Sequence, residues 1–313
     1  MADQIKTVAT RQSYGEELVE LGREHDDFLV LDADLAEATK TGLFKKAFPD
    51  RHFDVGIAEQ DLIGIAAGIA AAGHKVFASS FAMFAAGRAF EQVRNSVGYP
   101  HLNVNIAATH AGLSVGEDGA THQCCEDIAL MRTIPGMCVI VPSDDVEARA
   151  ATRAAYAYDG PVYLRFCRLA TPIINGDDYT FEIGKSYVLR EGTDVTIAAC
   201  GLMVERALKA ADTLAEQGIS AEVINVPTIK PLDEETVLAS VRKTGHVVTA
   251  EEHSIIGGLG SAVAELLGEK MPVPVKRVGV EDTFGESAPA LEVLEKYGLT
   301  AAHIAEAATE LVR

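Results

Sequence analysis

Basic side chains are scarce in this sequence. Its 313 residues hold 27 Lys and Arg against 46 Asp and Glu, a formal net charge of −19. Long-range repulsion on that scale opposes nucleic acid and anionic membrane surfaces, so neither is an expected partner. An anionic substrate needs a local gathering of Arg and His to overcome it. Long apolar runs are missing as well. The most apolar helical stretch, Leu62 to Ala72, is too short to cross a bilayer and has Glu59 and Asp61 beside it. The stretch Met1 to Thr10 is polar and does not read as a signal peptide. The five cysteines, at 124, 125, 138, 167 and 200, form no CxxC pair, which fits a reducing cytoplasm and no metal cage in this chain. Repeats and low-complexity tracts are absent. With 48 % apolar and 23 % charged residues, the chain has the balance of a soluble globular protein long enough for two domains.

Short apolar runs rich in β-branched residues alternate with amphipathic stretches. Phe28 to Asp32, Lys75 to Ser79, Val104 to Ala108, Cys138 to Val141 and Val162 to Phe166 read as strands. Tyr14 to Arg23, Ala85 to Val97 and Val146 to Tyr158 read as the helices between them. This alternation predicts an α/β fold with a mainly parallel sheet covered on both faces. Turn chemistry from Thr171 to Tyr179 marks a connection, after which the alternation restarts at Val195. Two consecutive α/β domains follow, with expected limits of 1–172 and 193–313 and a linker over 173–192.

Three segments carry chemistry. The first, Thr109 to Gln123, puts two histidines, two carboxylates and three glycines into one polar loop after a strand. Such a loop suits proton shuttling on a small polar substrate, with glycines that let backbone pass close to a ligand. The second, Gly56-Ile57-Ala58-Glu59-Gln60, places a carboxylate at the start of a helix whose Gly64 and Gly68 permit close packing against a neighbouring chain. The third, Ser80-Phe81-Ala82-Met83-Phe84, sets two aromatic faces three residues apart at a strand end. Taken singly, Glu59 could merely complement a helix dipole and the two Phe could be core. Their combination at this spacing favours a site.

In their order and spacing these segments resemble the transketolase family, most specifically through Gly116-Glu117-Asp118-Gly119-Ala120-Thr121-His122-Gln123. The similarity runs along essentially the whole chain, including Glu251 to Gly260 and Asp282 to Ser287 in the second half. The resemblance implies a pyrimidine-binding domain for thiamine diphosphate followed by a transketolase C-terminal domain. In that frame Glu59 activates the aminopyrimidine, Phe81 and Phe84 stack on it, and Ile57 and Asp34 border the cofactor. Asp118 binds a substrate hydroxyl, His122 moves protons, and His110 serves both catalysis and substrate binding nearer the outer end of the channel. Arg11 and Arg168 hold the terminal phosphate of a sugar. Arg165 suits a structural ion pair at least as well as a phosphate role.

The chain departs from the family in three places. Ala38 stands where many members have a phosphate-binding serine, with Thr39 as a possible substitute and Glu37 as a repelling neighbour. Gly87 stands where a third aromatic is common. No Gly-Asp-Gly, the family's diphosphate and metal motif, occurs anywhere. The resemblance therefore implies the C-terminal subunit of a split transketolase, a glycolaldehyde transferase of carbohydrate metabolism such as the pentose phosphate pathway. A separate N-terminal subunit would hold Mg²⁺ or Ca²⁺ against the diphosphate, in a complex with two copies of each chain that self-associates through the pyrimidine domain. Pentose phosphates, branched-sugar phosphates and sulfonated sugars all remain open as substrates. Rival readings are a subunit of a 1-deoxyxylulose-phosphate synthase or 2-oxo acid dehydrogenase, or a non-catalytic partner. Gly-Ile-Ala-Glu-Gln is also seen in 1-deoxyxylulose-phosphate synthases and so does not separate them from transketolase, whereas Thr121-His122-Gln123 after Gly-Glu-Asp-Gly leans toward transketolase. Cys124, Cys125 and His253 read as packing residues.

Overall fold

The computed structural model describes residues 6–176 and 178–313, so the first five residues of the polar N-terminal stretch and Asp177 of the expected connection lie outside them. Among the described residues, fourteen strands form three sheets. In chain order they are β1 (Thr7–Ala9), β2 (Phe28–Asp32), β3 (His52–Asp54), β4 (Lys75–Phe81), β5 (Val104–Thr109), β6 (Cys138–Ile140) and β7 (Val162–Arg165). The remainder are β8 (Ala170–Pro172), β9 (Tyr187–Arg190), β10 (Val195–Ala199), β11 (Ala221–Asn225), β12 (Thr228–Lys230), β13 (Val247–Ser254) and β14 (Val275–Val280).

The first large sheet has the order β12-β6-β7-β5-β4-β2-β3 and is parallel except for β12. Continuous apolar strands such as β5, buried at every position, are what a parallel sheet covered on both faces requires. The helices Thr10–Glu24 and Asp145–Ala157 cover one face over a core of Tyr14, Phe28, Phe44, Phe77 and Phe166. The helix Glu59–Ala71 lies on the other, against Leu31, Val76 and Ile106. The second sheet, β14-β13-β10-β11-β9, is parallel except for β9. β1 and β8 form a small antiparallel ribbon. Among the described residues no helix is long and apolar enough to cross a membrane.

Three sequence expectations need correction. Tyr187 to Arg190, inside the expected linker, is the edge strand β9 of the second sheet, because its pairing with β11 supplies the hydrogen bonds that a free connection would lack. The two domains also do not separate cleanly. β12, from the second half of the chain, pairs antiparallel with β6 and closes the edge of the first sheet. Lys230 fixes this exchange by donating to the carbonyls of Arg132 (2.8 Å) and Ile134 (2.6 Å). One apolar core accordingly runs from Val139 and Val141 into Ala198, Ile224 and Leu259. Finally, the helix expected over Ala85 to Val97 is wound as two widened π turns, Met83–Arg88 and Val93–Gly98, on either side of a short α turn. Such turns often sit beside functional residues.

Candidate active site

Most predicted site residues lie at or just beyond the carboxyl end of a strand of the first sheet; Asp118 and His122 lie further along the loop after β5, and Arg11 stands at the start of the helix after β1. Asp34 follows β2, Ile57 and Glu59 follow β3, Phe81 ends β4, His110 follows β5, and Arg168 follows β7. In open parallel sheets this is the edge where ligands bind. The carboxylate of Asp54 ties two of these turns together by accepting the N–H groups of Asp34 and Gly56, each at 2.9 Å.

Glu59 opens its helix and is 2 % exposed. Its Oε2 accepts from Arg88 Nη1 at 2.8 Å, and the Arg88 guanidinium lies 4.7 Å over the Phe84 ring. The side chain of Arg88 is half exposed, so the buried acid is paired with a residue that reaches the surface. On the segments that flank it, Ile57 is 77 % exposed and Phe53 and Ile65 are also exposed, interspersed with exposed Asp54, Gln60 and Asp61. Large exposed apolar side chains on the segments beside a buried acid make this face a candidate binding surface.

From Phe84 a chain of aromatic contacts runs inward. Phe84 and Phe81 lie with ring centroids 5.9 Å apart and nearly parallel, His122 meets Phe84 edge-on at 5.3 Å, and His110 stacks on Phe81 at 3.8 Å. His110 then meets Arg11, whose Nη1 is 3.2 Å from His110 Nε2. The row therefore leads from a carboxylate at Glu59 to a cation at Arg11. Burial first, then the charges of Arg11, Arg168, His122 and Lys40, push the His110 imidazole down to about 3. His110 is thus neutral. Its Nε2 accepts from Arg11, and its Nδ1 donates to Thr109 Oγ1 at 2.9 Å.

The two predicted phosphate arginines are close enough that each lies in the other's field; burial and then Arg168 lower the pKa of Arg11. Arg168 donates to Glu117 at 3.0 Å and to the carbonyl of Val115, while Arg11 donates to the carbonyl of Ala38 at 2.8 Å. Thr39 is not a substitute for the missing serine. It is fully buried, and its hydroxyl donates to Asp32 at 2.7 Å, in a carboxylate nest shared with Thr41. Asp118 is exposed at the end of the turn Leu113–Asp118. Arg165, as the ion-pair reading held, is fully committed: it is buried on Asp127 (2.8 and 3.1 Å) and also donates to the carbonyl of Glu252 at 2.9 Å. The second domain braces the polar loop directly. Glu252 accepts the N–H of Ser114, and Gln123 donates to the carbonyl of Glu286 at 2.9 Å. Arg88 and Lys40 escaped the sequence reading, Arg88 lying four residues after Phe84; Glu252 lay inside the quoted segment Glu251 to Gly260, but its contact with the polar loop was not foreseen.

Residues 6–173 match the family described as the transketolase pyrimidine binding domain, and residues 184–304 match the transketolase C-terminal domain. The chain belongs to the transketolase family. A Methanocaldococcus jannaschii protein provisionally named a transketolase C-terminal section is 52 % identical over 299 residues, spanning 95 % of this chain and 94 % of that protein. The 6-deoxy-6-sulfo-D-fructose transketolase subunit SqwH of a Clostridium species is 49 % identical over 301 residues, spanning 96 % and 94 %. A solved structure described as a split gene transketolase, inactive beta4 tetramer, superposes with a TM-score of 0.91 at 54 % identity, covering 98 % of this chain and 100 % of that one. This transketolase chain thus corresponds to the C-terminal section of a split enzyme, and its two family domains are joined through β12 and a common core.

Proposed function

We propose that this chain is the C-terminal subunit of a two-subunit, thiamine-diphosphate-dependent transketolase that moves a two-carbon ketol unit from a ketose to an aldose. The row of contacts from Glu59 to Arg11 carries the reading. One end offers a buried acid, the partly buried ring of Phe84 and the exposed apolar side chain of Ile57, which fit the planar pyrimidine half of the cofactor. The other end offers Arg11 and Arg168 for the far end of a sugar phosphate or sulfonate. For the diphosphate and its metal ion the sequence has no Gly-Asp-Gly, and among the described residues no group of three or more His, Cys, Asp or Glu could hold an ion. Those functions are assigned to an N-terminal partner seated on Phe53, Ile57 and Ile65.

When bound, the cofactor supplies the carbanion and the electron sink for cleaving the carbon–carbon bond. The chain supplies the rest. Glu59 holds or gives a proton at the pyrimidine ring nitrogen, which requires Arg88 to give way or to share the carboxylate. Phe84 and Phe81 fix the ring plane. His122, edge-on to Phe84, takes and returns the substrate hydroxyl proton, and Asp118 orients a second hydroxyl. Neutral His110 offers a fixed hydrogen-bond pattern rather than a charge.

The named relatives support self-association and a sugar substrate, but a pentose phosphate, a branched-sugar phosphate and a sulfonated sugar are not distinguished by these residues. The test is reconstitution with an N-terminal subunit, thiamine diphosphate and Mg²⁺, followed by assay of ketol transfer across donor sugars. The expected result is turnover by the pair and neither tight cofactor binding nor turnover by this chain alone. Turnover by the single chain would overturn the split-site reading, and CO₂ release from pyruvate would move the assignment to a 1-deoxyxylulose-phosphate synthase type of enzyme.

A further inference from the structure

Arg88 ends the π turn Met83–Arg88, and its guanidinium lies over the ring of Phe84, four residues earlier. Two hydrogen bonds hold the backbone beneath it. The N–H of Ala89 donates to the carbonyl of Phe84 at 3.2 Å, and Gln60 Nε2 donates to the carbonyl of Arg88 at 3.4 Å. The side chain is tied at its tip to Glu59 and is otherwise half exposed. Among the described residues it pairs with no other carboxylate. Gly87 beside it carries no side chain, and the Met83 methyl lies where its Cβ would stand. The turn therefore presents Phe84 and Arg88 with no third ring between them.

A guanidinium is a flat cation whose N–H groups lie in its own plane. Here it makes two contacts at once. One N–H reaches the buried carboxylate of Glu59 at 2.8 Å, and its central carbon lies 4.7 Å from the centre of the Phe84 ring. An aminopyrimidine is also flat and nitrogen-bearing. Held by this chain, it needs the same pair of contacts: a hydrogen bond to Glu59 at its edge and an aromatic face against its plane.

We propose that the Arg88 side chain is an internal plug of the ring-binding site, standing in for the aminopyrimidine on Glu59 and Phe84 and swinging outward before the cofactor enters. This rests on the transketolase reading above and adds a control step to that same site. In the closed arrangement the guanidinium keeps the buried carboxylate from standing without a counter-charge. In the open one the guanidinium moves into water and the ring takes over both contacts. The exchange needs side-chain rotation alone, because the turn keeps its backbone hydrogen bonds. The closed fraction weakens ring binding in proportion. A plug shut about nine-tenths of the time lowers the apparent affinity about tenfold.

The test uses the full chain and a probe that needs no partner subunit: the hydroxymethyl aminopyrimidine that forms the ring half of the cofactor, titrated by ligand-observed NMR. Arg88→Leu and Arg88→Gln are expected to tighten its binding by about tenfold, and Arg88→Lys by about threefold or less. Guanidinium chloride at low millimolar concentration supplies the plug from outside. It is expected to displace the ring from Arg88→Leu where an equal concentration of sodium chloride does not. Should Arg88→Leu fail to fold with Glu59 unpaired, Arg88→Gln keeps a donor for the acid and decides alone. No gain in affinity in either variant, whether binding is equal, weaker or undetectable, overturns the proposal. Calorimetric titration of the two-subunit complex with thiamine diphosphate and Mg²⁺ decides the functional reading separately. If the complex binds the cofactor while the ring affinities match, only the plug fails. If the complex binds none, the functional reading fails.

Discussion

Glu252, on β13 of the second domain, accepts the backbone N–H of Ser114, in the loop that carries Asp118 in the first. The carboxylate is buried, and burial raises its pKa despite the nearby Arg165. It also fills the space beside Gly112, where an added Cβ would meet it at 2.4 Å and where φ is 76°. Removing the acceptor in Glu252→Ala strands a buried N–H, which costs about 1–3 kcal/mol of stability. The loop is then expected to loosen, raising KM for the donor sugar, while Glu252→Gln retains an acceptor and recovers most of both. Urea unfolding and steady-state kinetics of the complex check this; an Ala variant with wild-type KM would show that the brace does not position the loop.

The buried pair of Arg165 and Asp127 anchors the same brace from below, with the Tyr163 hydroxyl donating to Asp127 at 2.8 Å. Replacing Arg165 by Met leaves a buried carboxylate without its counter-charge. The expected cost is about 3–5 kcal/mol, read as a lower denaturation midpoint with an unchanged slope. A change below about 1 kcal/mol would mean that Asp127 finds another donor.

Glu59 is bonded to an arginine whose side chain is half exposed. Glu59→Gln keeps the shape and removes the charge, and screening of the exposed partner limits the change in stability to about 1 kcal/mol. Turnover of the reconstituted enzyme is expected to fall by about 100-fold or more, the range of a lost acid–base group. Retained turnover would instead support a non-catalytic role for this chain.

His110 sets a pH signature. Its folded pKa is about 3 against an ordinary 6.5, so below pH 6.5 the unfolded chain takes up a proton that the folded chain refuses. Stability from this group is therefore full above pH 6.5 and declines as the pH falls toward 3, by up to about 1.4 kcal/mol per pH unit. Imidazole NMR should show no titration of His110 between pH 5 and 8. Replacing Arg11 by Gln removes one repelling charge and should move the midpoint upward; a wild-type midpoint near 6 would contradict the burial argument.

The strands β2, β4, β5, β7, β10 and β13 were legible because burial on both faces of a parallel sheet writes itself as unbroken apolar runs. Glu59, Phe81, Phe84 and His110 stood out in the sequence by residue type and spacing, and the structure places the rings of Phe81, Phe84 and His110 against one another. Partners reached through space were not legible. Thr39 looked available for a ligand until Asp32 claimed it, and nothing in the order of residues ties Arg88 to Glu59. β9 was hidden by the turn chemistry that precedes it. β12 was hidden because periodicity identifies a strand but not the sheet it joins.

That exchanged strand constrains how such an enzyme can be divided. A cut at the connector near residue 177 would strip Thr228–Lys230 from the rim of the first sheet and open the core between the halves, leaving two fragments with unsatisfied edges. Gene fission at that point is structurally penalised. A break on the amino-terminal side of β1 leaves the interlocked pair intact, which makes the two domains of this polypeptide one inheritable unit.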